Sequence, residues 1–534
     1  MKRIVTAICV LLLAVPLACS CAQNNSAGTG AGEGRNSTEA AAKAEAWVDN
    51  DILDLCIYNT DTLNPLTTSV KHNAEVLSFM YDSLYTAQSD FSAAANLAEN
   101  ASVSPDGLTY TVQIRSGVQF SNGETLTAND VAASINTIIA SNGYYKNRLT
   151  MIKGAAAKGN RVEIYLKKPT ANLNVLLDFP IMPKGGKEEH AKSENNDVLS
   201  SVIPGSGIYQ LSEYQLNKEI RLKVNRSHHS GTLPYIETVV IHMAADRETA
   251  VSMLENSRID MLTGYAADIE TYTPRKKLNY KTYNGCRFVF LGMNTKEKEA
   301  NTPKVRSAVS AAIHREDILS AGNVNAVISS LPVHPGDYLY SSDTDLYGIN
   351  QSGAGGLLAA EGWADTDSNG ILDKTVLSKK YELSFELLVS ADSPTKTLIA
   401  ESVRKSLSAL GINIKIRSLP YAAYQSKISS GDYELFLGES ELLPNFDFDD
   451  ILTLSKLSQT DSALSDEIKD AQNATDSMTQ KENYSQILSL YSAQRPVAGL
   501  YFKNEVLLCD ERIKAENILT LNPYKSVHTW SITD

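Results

Sequence analysis

The feature that most constrains the fold is a regular alternation of strand and helix patterns in the C-terminal half of the chain. Apolar side chains occupy every second position from Leu383 to Val389, which is the period of a β-strand. Ser393 and Pro394 then predict a helix start, and Gly411 predicts its end. A strand, a helix and a strand follow at residues 412–416, 421–428 and 433–437. This order is typical of an open α/β sheet.

Ligands of open α/β sheets bind at the carboxyl ends of the strands. This rule points to two loops of the predicted sheet, residues 390–393 and residues 438–448.

A second informative stretch is residues 104–135. It predicts a turn at residues 105–107, a strand at residues 108–114, and a capped helix that begins at Thr127 with Asp130 three residues later.

The residues of this stretch resemble a segment of a known protein family. Asp106, Gly107, Tyr110, Phe120 and the run TANDV at residues 127–131 resemble the hallmark segment of the family 5 extracellular solute-binding proteins, the peptide-type receptors of ABC importers. Further family-like runs occur in the same order: LNP at residues 63–65, LAE at 97–99, PGSGIY at 204–209, FVFLGMN at 288–294 and KVRSAVSAAIHRED at 304–317. The resemblance covers about residues 50–515.

The resemblance implies an α/β, two-lobed periplasmic-binding-protein-like fold of the class II or cluster C type, with an extra small domain. The expected division is a signal peptide at 1–20, a lipidated N-terminus and tether at 21–49, the main lobe at 50–88, 203–289 and 504–534, the small domain at 89–202, and the second lobe at 290–503.

The resemblance also implies a function. The lobes would close around a solute, most often a di- or oligopeptide, and deliver it to a permease and ATPase complex in the membrane. Two alternatives stay open: the same receptor fold binding a nickel complex, haem or a glycan, or a lipoprotein that signals or adheres without transport. We expect a monomer and no cofactor.

The N-terminus predicts export. Lys2 and Arg3 precede a mostly apolar run of about fifteen residues, which is shorter than a membrane span of about 20 residues. The run ends in LACSC, which resembles a bacterial lipobox, and Cys21 fits the lipidated position best. A polar tether follows. We expect a protein anchored by lipid to the outer face of the cell membrane, or to its periplasmic side; a plain cleaved signal is the alternative.

Composition and motifs argue against a nucleic-acid-binding protein and against an enzyme. The net charge is −13, with 62 acidic and 49 basic residues, and no cluster of Lys and Arg suggests nucleic acid. Neither G-x-S-x-G, H-E-x-x-H, a P-loop nor a paired-carboxylate motif occurs, so we do not expect an enzyme. Cys56, Cys286 and Cys509 lie in strand-like stretches and are expected to be buried free thiols, with a Cys286–Cys509 disulfide as the alternative.

The loop after the third predicted strand is the expected ligand site. Peptide-binding relatives have a tryptophan and an aspartate there, and the aspartate pairs with the peptide's α-amino group. This sequence has Glu439 and Leu442 at those positions, so the amine anchor does not carry over. Glu439 or Glu441 could replace it, or Leu442 and its neighbour could line an apolar pocket. Asn445 and, on the other loop, Ser393 complete the candidate ligand-binding residues.

Asp365, Asp367, Asn369 and Asp373 have the spacing of a calcium loop, but Val376 stands where a bidentate Glu is expected. An Asx-rich turn and a weak calcium site both stay open.

Three shorter stretches also carry local predictions. Residues 239–262 predict a βαβ unit with parallel strands. The adjacent His228 and His229 suggest a surface turn, and His314 a helix end.

Overall fold

The structure is a computed structural model of the chain. It describes residues 52–185, 203–265, 277–296, 302–342, 351–445, 447–455, 467, 470–471 and 477–533. The predictions about the signal peptide, Cys21 and the tether lie outside the described residues.

The strands are, in chain order, β1 Ile52–Tyr58, β2 Tyr85–Ala87, β3 Ala93–Ala95, β4 Ala98–Val103, β5 Thr109–Ile114, β6 Ile152–Lys158, β7 Arg161–Leu166, β8 Tyr209–Gln215, β9 Glu219–Val224, β10 Thr238–Ala244, β11 Met261–Tyr265, β12 Leu278–Met293, β13 Ala326–Ile328, β14 Asp373–Val376, β15 Lys379–Glu382, β16 Ser384–Ser390, β17 Asn413–Leu419, β18 Leu435–Glu441, β19 Val497–Asp510, β20 Ile513–Lys514 and β21 Ser531–Ile532.

The α-helices of the described part are α1 Lys71–Leu77, α2 Ala128–Ala140, α3 Leu173–Leu176, α4 Arg247–Glu255, α5 Pro303–Ala312, α6 Arg315–Gly322, α7 Gln351–Ala360, α8 Pro394–Ser408, α9 Tyr421–Ser430, α10 Asp449–Leu454 and α11 Ser477–Gln494. Short 3-10 helices span Ser78–Met80, Tyr144–Leu149 and Pro523–Thr529. Within the described residues, no helix is both long and apolar enough to cross a membrane.

Three sheets organise the described chain. The first has the order β1-β10-β9-β8, and the second, which is antiparallel, has the order β4-β5-β7-β6. The third is seven-stranded, with the order β11-β19-β12-β18-β16-β17 and with β13 on β19. Within it, β16 lies parallel to both β17 and β18, as the alternating sequence pattern predicts.

Two long strands, β12 and β19, run side by side through the third sheet. Their pairing is interrupted at residues 284–286: Tyr283 still pairs with Glu505, and Arg287 pairs with Lys503. At Gly285 a methyl group would collide with the carbonyl oxygen of Lys503, so only glycine fits this close approach. The pairing of β12 with β19 therefore has a local irregularity at residues 284–286, near the middle of the two strands.

Separate hydrophobic cores lie on the two sides of this irregularity. One core joins side chains of the first and second sheets with the C-terminal segment up to Trp530. Along β12, Val289 and Leu291 face a second core while Phe288 and Phe290 face a third, because neighbouring residues of a strand point to opposite faces. We call the described residues before 284 and after 503 lobe 1, and those from 287 to 503 lobe 2.

Several local predictions are confirmed. The Asp130 carboxylate accepts the N–H and the O–H of Thr127, each at 2.7 Å, at the start of α2. Ser393 caps α8 by accepting the N–H of Lys396, and His314 lies at the N-terminal end of α6. The three cysteines are free and buried. Cys509 pairs with Asn279, seven residues along β12 from Cys286, which is roughly 23 Å at the rise of a strand.

One local prediction is wrong, and a second is confirmed for the backbone but not for the side chains. Strands β10 and β11 belong to different sheets, so residues 239–262 do not form a simple βαβ unit. The reason is that β11 pairs with β19, a partner more than 230 residues away. The predicted surface turn at His228 is present, because its N–H donates to the carbonyl oxygen of Asn225 at 3.1 Å and residues 226–227 are exposed. The side chains of His228 and His229, however, are only 7% and 12% exposed.

Candidate functional site

A cleft of about 670 Å³ lies between lobe 1 and lobe 2, within the usual size range of ligand sites. The lobe 1 wall comes from the 3-10 helix Tyr144–Leu149 and from the residues flanking β6 and β7. The lobe 2 wall is the end of β18, at Glu441, together with the loop that follows it. The lining residues are Tyr144, Asn147, Arg148, Thr150, Met151, Lys167, Lys168, Glu441, Leu442, Leu443, Asn445 and Asp447.

A backbone hydrogen bond joins the lobe 2 loop to β12 at the irregularity. The N–H of Leu442 donates to the carbonyl oxygen of Cys286 at 2.8 Å, and Leu442 is buried. Asn445 is also buried, and its Nδ2 has no hydrogen-bond partner in the described structure. Because an unsatisfied buried donor is costly, this amide is suited to donate to a ligand that enters the cleft.

Direct contacts join the two walls. Lys168 Nζ lies 2.8 Å from Asp447 Oδ2, and Asn172 Nδ2 donates to the carbonyl oxygen of Pro444 at 2.7 Å. Farther along, the N–H of Tyr338 donates to the carbonyl oxygen of Asp90 at 3.0 Å. The cleft is thus bounded by polar bridges that a separation of the lobes would break.

Glu439 lies in β18, two residues before the end of the strand, and is surrounded by positive charge. Its carboxylate is 3.1 Å from Arg287 Nη1, 3.1 Å from Lys503 Nζ and 3.2 Å from Lys396 Nζ. Burial alone would raise the pKa of Glu439, but the three cations outweigh it and hold the pKa at about 2. This carboxylate is therefore engaged within lobe 2.

Glu441 is different. Its side chain is exposed in the cleft and makes no hydrogen bond or ion pair with the part of the chain that the structure describes. Burial raises the pKa of the nearby Cys286 thiol to about 12, and the charge of Glu441 contributes to that rise. Glu441 is thus an available carboxylate close to the irregularity of β12.

A cationic wall faces this loop from lobe 1. Arg148 is buried; its Nη2 donates to Tyr144 Oη at 2.8 Å and its Nη1 to the carbonyl oxygen of Asp178 at 3.1 Å. Burial raises the pKa of Tyr144 to about 12, so its hydroxyl stays protonated at neutral pH. The sequence prediction missed Tyr144 and Arg148. Their spacing of four residues is the only local signal, and it does not show which wall they form.

A charged cluster lies near the same wall, around α1. Lys71 Nζ is 2.9 Å from Glu505 and 3.7 Å from Glu75. Burial raises the pKa of Glu75 to about 7, and neither of its carboxylate oxygens makes a hydrogen bond in the described structure.

The other predicted residues lie elsewhere. Ser393 is the cap of α8 and does not line the described cleft. Asp365, Asp367 and Asp373 do come close together, but Lys380 Nζ lies 3.1 Å from Asp373 and also contacts Asp367. Asp365 accepts the backbone N–H groups of Asn369 and Gly370. The ammonium and these N–H groups favour the Asx-rich turn; the calcium site stays a prediction.

Comparison with known proteins identifies the family. The family model "Bacterial extracellular solute-binding proteins, family 5 Middle" matches residues 93–461. The chain belongs to this family. Its members are extracytoplasmic solute-binding proteins rather than enzymes, and the structure has their α/β two-lobed fold, as the sequence resemblance predicted.

Individual relatives agree with this membership. The oligopeptide-binding protein AppA of Bacillus subtilis is 26% identical over 514 residues, which is 93% of this chain and 94% of AppA. The solved structure of that AppA with a nonapeptide has a TM-score of 0.56 and 25% identity. The match covers 90% of this chain and 99% of the AppA chain. The structure of NikZ from Campylobacter jejuni, solved with Ni(L-His), has a TM-score of 0.58 and 19% identity. The match covers 91% of this chain and 100% of the NikZ chain.

Proposed function

We propose that this protein is the substrate-binding lipoprotein of an ABC importer and that it captures a di- or oligopeptide between its two lobes. The observation that carries the proposal is the cleft beside β12 and β19. A ligand there contacts both lobes at once, and the irregularity at residues 284–286 is the natural place for the connecting strands to bend. The AppA relative, which binds oligopeptides, supports a peptide as the solute.

The cleft offers a partner for each part of a peptide. Glu441 would pair with the α-amino group, because it is the available carboxylate of the loop. Asn445 Nδ2 would donate to a peptide carbonyl oxygen. Leu442 and Leu443 would contact an apolar side chain, and the charged groups of the opposite wall would face the remainder of the peptide.

Glu439 has a different proposed role. Three cations within 3.2 Å already satisfy its carboxylate, so a ligand ammonium would have to compete with them. We assign it to holding the end of β18 against β12, β19 and α8.

The first experiment identifies the solute. Ligands released from the protein purified under native conditions are determined by mass spectrometry, and the corresponding peptides are titrated into ligand-free protein by calorimetry, with free and with N-acetylated amino termini. Peptides with a free amino terminus should bind, and acetylation should weaken them. Recovery of a nickel complex, haem or a glycan that binds when peptides do not would contradict the peptide proposal.

The remaining proposals concern localisation and partners. Cys21 would carry the lipid that tethers the receptor near a permease and ATPase complex, and the receptor would act as a monomer without catalysis. Cys21→Ala should move the protein from the membrane to the soluble fraction, whereas Cys19→Ala should leave it anchored. The opposite pattern would overturn the assignment to Cys21.

A further inference from the structure

An Asp and two histidines come together in lobe 1, away from the cleft. Asp82 precedes β2, and His228 and His229 lie in the loop between β9 and β10, so the contact joins segments 146 residues apart. The side chains are only 9%, 7% and 12% exposed, respectively. Such a buried group of a carboxylate and two imidazoles needs a physical explanation.

The distances within this group lie at the long end of the hydrogen-bond range. His228 Nε2 lies 3.2 Å and 3.3 Å from the two Asp82 oxygens, and His229 Nε2 lies 3.3 Å from Oδ2. A charge-assisted hydrogen bond is shorter, about 2.7–2.9 Å. Ligands around a tetrahedral ion with bonds of about 2.0–2.1 Å lie roughly 3.3–3.4 Å apart. The observed separations match the edges of such a tetrahedron.

His229 carries the clearest sign of a missing partner. Its Nε2 is buried and makes no hydrogen bond in the described structure, although Asp82 Oδ2 is only 3.3 Å away. A hydrogen-bonded pair of His228 and Asp82 would leave this nitrogen unsatisfied, which is costly in a buried place. A cation between the three groups would use all three lone pairs.

Neighbouring polar groups hold two of the three side chains in place. Asn96 Nδ2 donates to Asp82 Oδ1 at 3.1 Å, and Asp82 Oδ2 lies 3.3 Å from the Nε2 atoms of both His228 and His229. His228 Nδ1 lies 2.8 Å from Ser230 Oγ and accepts the Ser230 N–H at 3.4 Å. Metal binding through Nε2 requires the tautomer in which Nδ1 donates to Ser230 Oγ and Nε2 carries the lone pair. This second layer of contacts is typical of metal-binding histidines.

The group also has an open side. Asp82 and His228 line a cavity of about 460 Å³, together with residues such as Tyr81, Asn96 and His528. The described residues that line this cavity and those that line the cleft have no member in common. A fourth ligand, either water or a small molecule, could therefore approach without entering the cleft.

We propose that Asp82, His228 and His229 bind a divalent transition-metal ion, for which Zn²⁺ has the best-matched ligands and geometry. The ion fastens the β9–β10 loop to the segment before β2. The site goes beyond the proposed peptide capture and does not depend on it.

The test uses tag-free protein stripped of metal with EDTA and then titrated with ZnCl2 by calorimetry. Wild type should bind one Zn²⁺ per chain and show a higher Tm when loaded. His229→Ala should weaken binding by about 100-fold, and Asn96→Ala by about 10-fold, as loss of a supporting contact does. Co²⁺ in place of Zn²⁺ should give the visible absorption of a tetrahedral site in wild type only.

Matched controls separate the metal site from ordinary folding effects. His242, which lies 2.7 Å from Asp54 elsewhere in lobe 1, is half-buried and paired; His242→Ala should bind Zn²⁺ as wild type does. Peptide binding should be unchanged in His229→Ala. If His229→Ala fails to fold, His229→Gln, which keeps a polar side chain of similar length, replaces it in the same titration.

Failure of wild type to bind Zn²⁺ or Co²⁺ at 100-fold molar excess would overturn the proposal. So would equal Zn²⁺ affinity in wild type and His229→Gln. Either result would leave a hydrogen-bonded Asp–His group that only stabilises lobe 1.

Discussion

Lys168 Nζ lies 2.8 Å from Asp447 Oδ2, and this ion pair bridges the cleft from lobe 1 to lobe 2. Both side chains are partly exposed, so the pair should contribute little, about 0.5–1 kcal/mol. Lys168→Met should therefore lower the closed-to-open ratio of the ligand-free protein by about two- to fivefold. X-ray scattering should report a larger radius of gyration for the ligand-free variant, and saturating solute should restore the wild-type value.

Lys158→Met is the control for that experiment, because Lys158 pairs with Glu163 within lobe 1 alone. A radius of gyration that is the same in all three ligand-free proteins would argue against a bridge that favours closure.

The ion cluster around Glu439 predicts a pH-dependent contribution to stability. The pKa of Glu439 is lowered from its ordinary value of 4.5 to about 2, so its contribution is fully present above pH 4.5 and is lost as pH falls towards 2. Glu439→Gln leaves three cations without their shared partner. The free energy of unfolding at pH 7 should fall by about 3 kcal/mol, near the lower end of the cost of breaking a buried pair.

Urea unfolding at pH 7 and pH 3 measures this effect, and the difference from wild type should shrink at pH 3. Glu386→Gln is the control, since Glu386 and Arg417 form an exposed pair; it should change stability by less than about 0.5 kcal/mol. An unaltered stability of Glu439→Gln at pH 7 would show that the three cations do not need this carboxylate.

The raised pKa of Glu75 predicts a contribution to stability with the opposite pH dependence. Burial raises the pKa of Glu75 from 4.5 to about 7, so the folded protein holds more protons than the unfolded chain between these values. Stability from this group is therefore present below pH 4.5 and is lost as pH rises towards 7. Glu75→Gln removes the buried charge while Lys71 keeps Glu505 at 2.9 Å.

The Gln variant should be more stable than wild type at pH 8, by about 1–3 kcal/mol, and should lose most of this advantage at pH 5. Thermal or urea unfolding at the two pH values measures it. A variant that is less stable than wild type at pH 8 would mean that Lys71 depends on Glu75 more than burial opposes it.

Much of the fold followed from local sequence signals. Thr127 with Asp130, and Ser393 with Pro394, predicted helix starts correctly because a cap is made by neighbouring residues. The pairing of β11 could not be predicted in this way, because its partner β19 lies near the other end of the chain.

The environments of the candidate side chains could not be predicted from the sequence either. Glu439 and Glu441 look alike in sequence, but Arg287, which pairs with Glu439, is 152 residues away. Asp82 and His228 are separated by 146 residues. Long-range contacts of this kind leave no periodic or spacing signal, so the sequence could name the loop but not the role of each carboxylate.

The irregularity between β12 and β19 predicts a strict requirement for glycine. In Gly285→Ala the new methyl group would collide with the carbonyl oxygen of Lys503. The strands would have to shift, at a cost of about 1–3 kcal/mol in unfolding free energy, and the loop fastened to Cys286 would move with them. Both the unfolding free energy and solute affinity should fall.

Gly356→Ala is the matched control, because nothing lies near an added methyl group at that position of α7. It should be neutral or stabilising by up to about 1 kcal/mol, since alanine favours helix. Wild-type affinity in Gly285→Ala would mean that the geometry of residues 284–286 does not govern the cleft.

A thermodynamic cycle at Glu441 tests most directly whether the cleft recognises the amino terminus of a peptide. Calorimetry measures the affinity of wild type and Glu441→Gln for one peptide with a free amino terminus and for its N-acetylated form, with Glu401→Gln as a control because Glu401 pairs with Arg404 on the surface. In wild type and in the control, acetylation should weaken binding on the order of 100-fold, as loss of a buried charge partner does. In Glu441→Gln the free peptide should bind about as weakly as the acetylated one. A full acetylation penalty that persists in Glu441→Gln, or no penalty in wild type, would contradict the claim that this loop recognises the amino terminus of a peptide.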